Sequence, residues 1–151
     1  MTQIKHKVFA YITNRQRLLL FRHVHVPEAG VQVPAGTLEA GESPEEGVLR
    51  EAFEETGLSG LTIDCFLGEQ VRDMSEFVPG EINHRYFYHL RCPGNPSASW
   101  RYEERNPSTG LEPMPLIFEF FWAELTHGVP PLVADHDWMI PGLLRRLAIE
   151  D

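Results

Sequence analysis

The order of strand-like and helical segments predicts an α/β fold, with a mixed β-sheet between helices. Runs rich in β-branched and aromatic residues recur along the chain between Gly and Pro boundaries. The stretch 44–56 shows helical periodicity with start and stop signals, and residues 136–149 have helical character again. At 151 residues and 42% hydrophobic, the chain fits one domain, 1–151, with a single sizeable core.

Residues 4–13 (IKHKVFAYIT) and 17–24 (RLLLFRHV) are strand-like and separated by a polar turn at Asn14, which predicts a hairpin. A short VQVP run then enters a loop beginning at Gly36. Ser43 followed three residues later by Glu46 is a capping-box pattern, with Pro44 at the first helical position, where its missing N–H is harmless. Gly57 follows the last periodic residue and can take the left-handed conformation that ends a helix. At about 100° per residue, Val48, Leu49, Ala52, Phe53 and Thr56 form the expected docking face. Downstream, LTIDCFLGEQV, INHRYFYHLRC and LIFEFFWAEL are expected strands. Residues 93–113, rich in Pro and polar groups, are expected to be a long loop insert, and Pro141 to start or kink the final helix.

The helix carries Glu51, Glu54 and Glu55 within an arc of about 100°. Like charges at i,i+3 and i,i+4 oppose helix formation by a few tenths of a kcal/mol each, so local stability does not account for them. A hard divalent cation does, because magnesium takes oxygen ligands from a few carboxylates, water and substrate phosphates. Gly47 is expected to leave room for a ligand, since glycine inside a helix is otherwise unfavourable by about 1 kcal/mol. Arg50 stands at i,i+4 to both Glu46 and Glu54 and can orient carboxylates. A merely solvated acidic face is the competing account, and it does not explain Gly36, Glu42, the Arg50–Glu51 pair and Gly57 at these separations.

Residues 36–58, GTLEAGESPEEGVLREAFEETGL, resemble the Nudix box, with Gly36, Glu42, Arg50, Glu51, Glu54, Glu55, Gly57 and Leu58 at the box positions. Ala52 is smaller than the usual aliphatic residue there. The resemblance implies an α/β/α sandwich and a pyrophosphohydrolase acting with Mg2+ or Mn2+ on a nucleoside diphosphate linked to another group, X. It implies Glu51 and Glu55 as primary metal ligands, Glu54 as a further ligand, and the carbonyl of Ala35 beside them. Glu51, Glu54 and Arg50 then form the catalytic set, with Gly36, Glu42 and Gly57 auxiliary. The general base stays open between Glu51 and an acid outside the box, for which Glu81 and Glu119 are the candidates.

Substrate selection is less legible. Trp100 and Tyr102 could stack on a nucleobase or could simply cover the sheet edge. Arg22, His23, His25, Arg85 and Arg101 could reach phosphates, and Arg22, Glu81 and Trp100 are taken as the substrate-binding candidates. VPAG before the box looks like the corresponding stretch of some nucleotide-sugar pyrophosphatases, including ADP-ribose enzymes; nucleoside triphosphates and dinucleoside polyphosphates stay open. A net charge of −9 argues against broad nucleic-acid binding. Without an 18-residue apolar stretch or a long apolar N-terminal segment, no membrane partner is expected and a cytoplasmic location is. A homodimer is left open. Cys65 and Cys92 lack metal-site spacing and are expected to be buried free thiols. A nucleotide-binding or regulatory module with little turnover is the alternative function.

Overall fold

The computed structural model describes residues 2–104 and 116–148. Its elements are β1 (Gln3–Asn14), β2 (Arg17–His23), β3 (Ala35–Thr37), α1 (Pro44–Thr56), β4 (Thr62–Asp73), β5 (Glu81–Arg91), β6 (Ser99–Glu104), β7 (Leu116–Glu124) and α2 (Ile140–Leu147). They form a seven-stranded sheet in the order β4-β5-β1-β2-β7-β6, with β3 paired to β1. The β1–β5 pairing is parallel and runs from Gln3↔Glu81 to Thr13↔Arg91; the other ladders are antiparallel. The sheet is therefore mixed, as expected.

Strand β1 lies at the centre because its residues from Val8 to Asn14 are apolar enough to be buried on both faces. Val8, Ala10 and Ile12 pack with Val48 and Ala52 of α1, while Phe9 and Tyr11 pack on the other face with Leu143 of α2. Alternation along a single strand thus feeds two hydrophobic layers.

The bounds of α1 match the sequence reading. Glu46 N–H donates to Ser43 Oγ at 3.1 Å, Ser43 N–H donates to Glu46 Oε1 at 3.0 Å, and Gly57 takes φ 76°. Its docking face differs. Gly47, Val48, Ala52, Glu55 and Thr56 are buried, while Leu49 is 37% and Phe53 55% exposed. The buried arc is thus turned by roughly 70° toward the glutamates relative to expectation. Small residues at 47, 48 and 52 let the helix settle on that side, bringing Glu51 and Glu55 to the sheet. Gly47 is explained by packing rather than by ligand space: a Cβ there would overlap Leu38 and crowd the Glu42 carboxylate.

Two other expectations are corrected. Residues 99–104 form a strand, not part of a loop: Trp100 pairs with Phe120 and Tyr102 with Phe118 across β6–β7. Residues 105–113 of that insert lie outside the described residues. Helix α2 begins at Ile140, with Pro141 in its first turn, rather than near 136. Residues Val133–Asp135 instead make a tight turn, with Ala134 and Asp135 at φ 49° and 61°. Neither cysteine is in a disulfide; Cys92 is buried and Cys65 only half-buried.

Candidate active site

Strand β3 and helix α1 meet at one point of very close approach. A Cβ on Gly36 would fall within the Glu51 side chain, overlapping its Cδ and Oε2. Glycine at 36 therefore creates the seat in which the Glu51 carboxylate lies against the backbone.

Arg50 holds the carboxylates around that seat. Its guanidinium donates to Glu42 at 2.7 and 2.9 Å, to Glu51 at 2.8 Å, to Glu54 at 3.1 Å and to the Thr37 carbonyl at 3.2 Å. The expected Glu46 contact is not made, because the Glu46 carboxylate is used in the capping box. Hydrogen bonds from Arg50 hold the Glu42 carboxyl down at about 2. Glu51 is displaced the other way: burial raises it, against the opposing pull of Arg50. Glu55 is 7% exposed, and Glu54 is open to solvent.

Ala35, Gly36, Arg50, Glu51, Glu54 and Glu55 all line one large cleft. Glu42 and Gly57 stand outside its wall, Glu42 fixing Arg50 and Gly57 ending α1 against the Tyr102 ring. The donors facing the seat are oxygen only. An all-oxygen set, with a backbone cradle that a Cβ would fill, fits magnesium or manganese.

The remaining candidates separate. Arg85, His23, Arg101 and Tyr102 line the cleft; Arg22, His25, Glu81 and Trp100 do not. Arg22 lies over the Phe121 ring at 4.5 Å. Trp100 stacks on Phe120 at 5.3 Å and donates its indole N–H to the Thr56 carbonyl at 3.1 Å, so it covers the sheet and holds the end of α1. Glu81 is buried, accepts from Asn83 at 2.9 Å and pairs with Lys5 at 3.2 Å. Glu119 stands 3.6 Å from Arg101.

Lys7, Phe9 and His136 are among the cleft residues that the sequence did not point to. Lys7 had a usable signal, since it falls in phase with Phe9 and Tyr11 on a buried stripe of β1. His136 had none.

Asp64, Cys65 and His89 present ligand atoms within 4.8 Å of one another, on β4 and β5 away from the cleft. Asp64 there already accepts from Arg146 at 2.9 and 3.2 Å and meets His89 Nδ1 at 2.9 Å. Those bonds hold its carboxyl well below the usual range and make the group an ion-pair anchor for α2.

A NUDIX domain family model matches residues 5–137, and the chain belongs to this family. Membership carries the reaction class expected from the box, hydrolysis of a phosphoric anhydride. No curated protein sequence matches the chain significantly. Among solved structures, a MutT protein from Methanosarcina mazei Go1 is 18% identical with a TM-score of 0.65, covering 96% of each chain. A UDP-X diphosphatase is 20% identical with a TM-score of 0.62, covering 98% of this chain. The present chain spans only 64% of that protein's length. An ADP-ribose pyrophosphatase from Streptococcus suis is 19% identical with a TM-score of 0.59, covering 97% of this chain and 94% of its own. These likenesses establish the fold.

Proposed function

We propose that the protein is a metal-dependent pyrophosphohydrolase that cleaves a nucleoside diphosphate linked to a further group X. Magnesium or manganese is held by Glu51, Glu55 and Glu54 with the Ala35 carbonyl. The observation that carries this reading is the seat of Glu51 on Gly36, framed by Arg50, at the edge of the cleft.

When bound, the metal supplies a Lewis acid for the phosphate oxygens and lowers the pKa of water. The chain's own residues do the positioning. Arg50 fixes the Glu51 and Glu54 carboxylates relative to each other, and Glu42 fixes Arg50. Glu51 is the candidate within the box for taking a proton from the attacking water. Glu54 is open to solvent at the cleft.

Nucleotide sugars such as ADP-ribose, nucleoside triphosphates and dinucleoside polyphosphates are the candidate substrates. The reading takes 1–151 as one domain acting in the cytoplasm on a small nucleotide, without nucleic acid. Among the described residues no helix is long and apolar enough to cross a membrane.

The test is phosphate-coupled hydrolysis of a panel of these compounds with Mg2+ or Mn2+, against an EDTA control. Metal-dependent turnover of one class is expected. Absence of turnover across the panel, from folded protein, would favour a nucleotide-binding module instead.

A further inference from the structure

Of the four lysine and arginine residues lining the cleft, two have a carboxylate partner. Arg50 is engaged by Glu42, Glu51 and Glu54, and Arg101 stands 3.6 Å from Glu119. Lys7 and Arg85 differ: among the described residues neither makes an ion pair. Glu81 and Glu51 attract Lys7, and Asp135 and Glu81 attract Arg85, but only from beyond contact distance. Glu81 answers Lys5, and Asp135 answers Arg72 at 3.0 Å.

Lys7 and Arg85 are direct partners in the parallel β1–β5 register, so their side chains leave the same face of the sheet side by side. Like charges placed this way are destabilising. Both are also partly or wholly withdrawn from water: Arg85 is 1% exposed, and burial lowers the proton affinity of each. Arg85 lies 4.7 Å over the Phe9 ring and donates to the Ala134 carbonyl at 2.6 Å, to Asn83 Oδ1 at 3.3 and 3.4 Å, to Gln70 Oε1 at 3.5 Å and to Met74 Sδ at 3.2 Å, so its donors are engaged although it has no ion pair. No such bond is recorded for Lys7 among the described residues. Beside them, His136 accepts the Val33 N–H on Nδ1 at 3.1 Å, which leaves its proton on Nε2, and the ring lines the same cleft. Two cations and a neutral N–H donor thus converge on one wall.

We infer that Lys7 and Arg85, with His136, form a subsite for an anionic group of the substrate, a phosphate or carboxylate, beyond the phosphoryl groups addressed by Glu51, Glu54 and Glu55. This rests on the pyrophosphohydrolase reading and deepens it: the favoured X is anionic. Glu81, Glu51 and Asp135 offset the pair from a distance, and an anionic substrate group supplies the counter-charge in direct contact.

Arg85 also pins the Ala134 turn, so Lys7 is the discriminating position. Removing Lys7 relieves a repulsion, and Lys7→Gln without ligand is expected to melt at or above the wild-type temperature; a lysine serving only the fold would give a lower one. In steady-state kinetics, nucleoside diphosphate glucose supplies a neutral X, the matching glucuronate a carboxylate, and the nucleoside triphosphate a phosphate. Lys7→Gln is expected to raise KM for the anionic members about tenfold or more, as for a lost charge-assisted hydrogen bond. KM for the neutral member and kcat should stay unchanged, with Lys7→Arg restoring the wild-type ratio. Whichever anionic member responds identifies the source. Equal KM changes for neutral and anionic X would overturn the subsite while leaving the hydrolase intact. If no compound is turned over, calorimetric binding of the nucleoside triphosphate and the glucuronate in EDTA decides separately. Weakening by Lys7→Gln supports the subsite, and absent or unaltered binding overturns it.

Discussion

Replacing Gly36 with alanine separates the metal seat from the fold. Gly36 is not among the positive-φ residues, so alanine can adopt its backbone conformation. The new methyl would instead occupy the position of the Glu51 carboxyl carbon. The carboxylate must leave, giving up its 2.8 Å bond to Arg50. A part-buried hydrogen bond between charged groups is worth about 1.5–3 kcal/mol. Arg50 keeps its Glu42 bonds, and the alanine stiffens the unfolded chain by about 0.4–1 kcal/mol in the opposite direction. The net loss of stability is therefore about 0.5–2.5 kcal/mol, a few °C in Tm for a chain of this size. Metal binding has no such compensation. Displacing the support of a metal site typically weakens affinity about 10–100-fold. The assay is a magnesium titration of turnover, run beside a thermal melt. The expected result is an activation curve moved by one to two decades in a protein melting near wild type. A superimposable magnesium curve would refute the seat as the metal site, and a large loss of Tm would show that Gly36 is chiefly structural.

Other outcomes follow from the same geometry. Glu51→Gln and Glu55→Gln should each lower turnover by about two or more orders of magnitude with circular dichroism unchanged, because each removes a charged oxygen at constant volume; near-wild-type turnover in either would reject the ligand assignment. Gly57→Ala should cost ~1 kcal/mol or more in a denaturant melt, since Gly57 sits at φ 76° and a Cβ would press on Tyr102, while activity per folded molecule persists. His136 is held down at about 3 by burial, with Arg85 and Lys7 adding to the shift. The unfolded chain takes up that proton first, near the ordinary histidine value of about 6.5. Its contribution is therefore complete above that pH and lost as pH falls toward 3. The Tm of wild type should decline across this window more steeply than that of His136→Asn; parallel declines would show that His136 does not titrate as the structure requires.

What was legible in the sequence is what local chemistry determines. Ser43, Pro44, Glu46 and Gly57 specify the ends of α1 through bonds made within a few residues, so its limits could be placed from the sequence alone. The glutamate spacing follows from helix geometry in the same way. The direction α1 faces was not legible, because it depends on what the helix meets. Trp100 and Tyr102 of β6 come from across the sheet to pack around its end, and their strand is flanked by prolines and glycines that suggest a loop. The Lys7–Arg85 pairing was equally hidden, since it arises only from a parallel register between strands far apart in the chain.

The cleft consequently has two walls of different origin. The acidic wall is one helix and one short strand joined by a tight loop, and its chemistry is written in consecutive residues. The basic wall is assembled by the β1–β5 register and the Ala134 turn, and no short segment contains it. Metal handling needs fixed spacing between carboxylates, which a helix provides by itself. Discrimination among X groups needs donors spread along the substrate, which only distant strands can supply. A change in β1 that exchanges Lys7 for a neutral residue therefore leaves the glutamates, Arg50 and the Gly36 seat in place. On the proposed reading it is expected to alter which diphosphate derivative is bound without altering how the anhydride is cut.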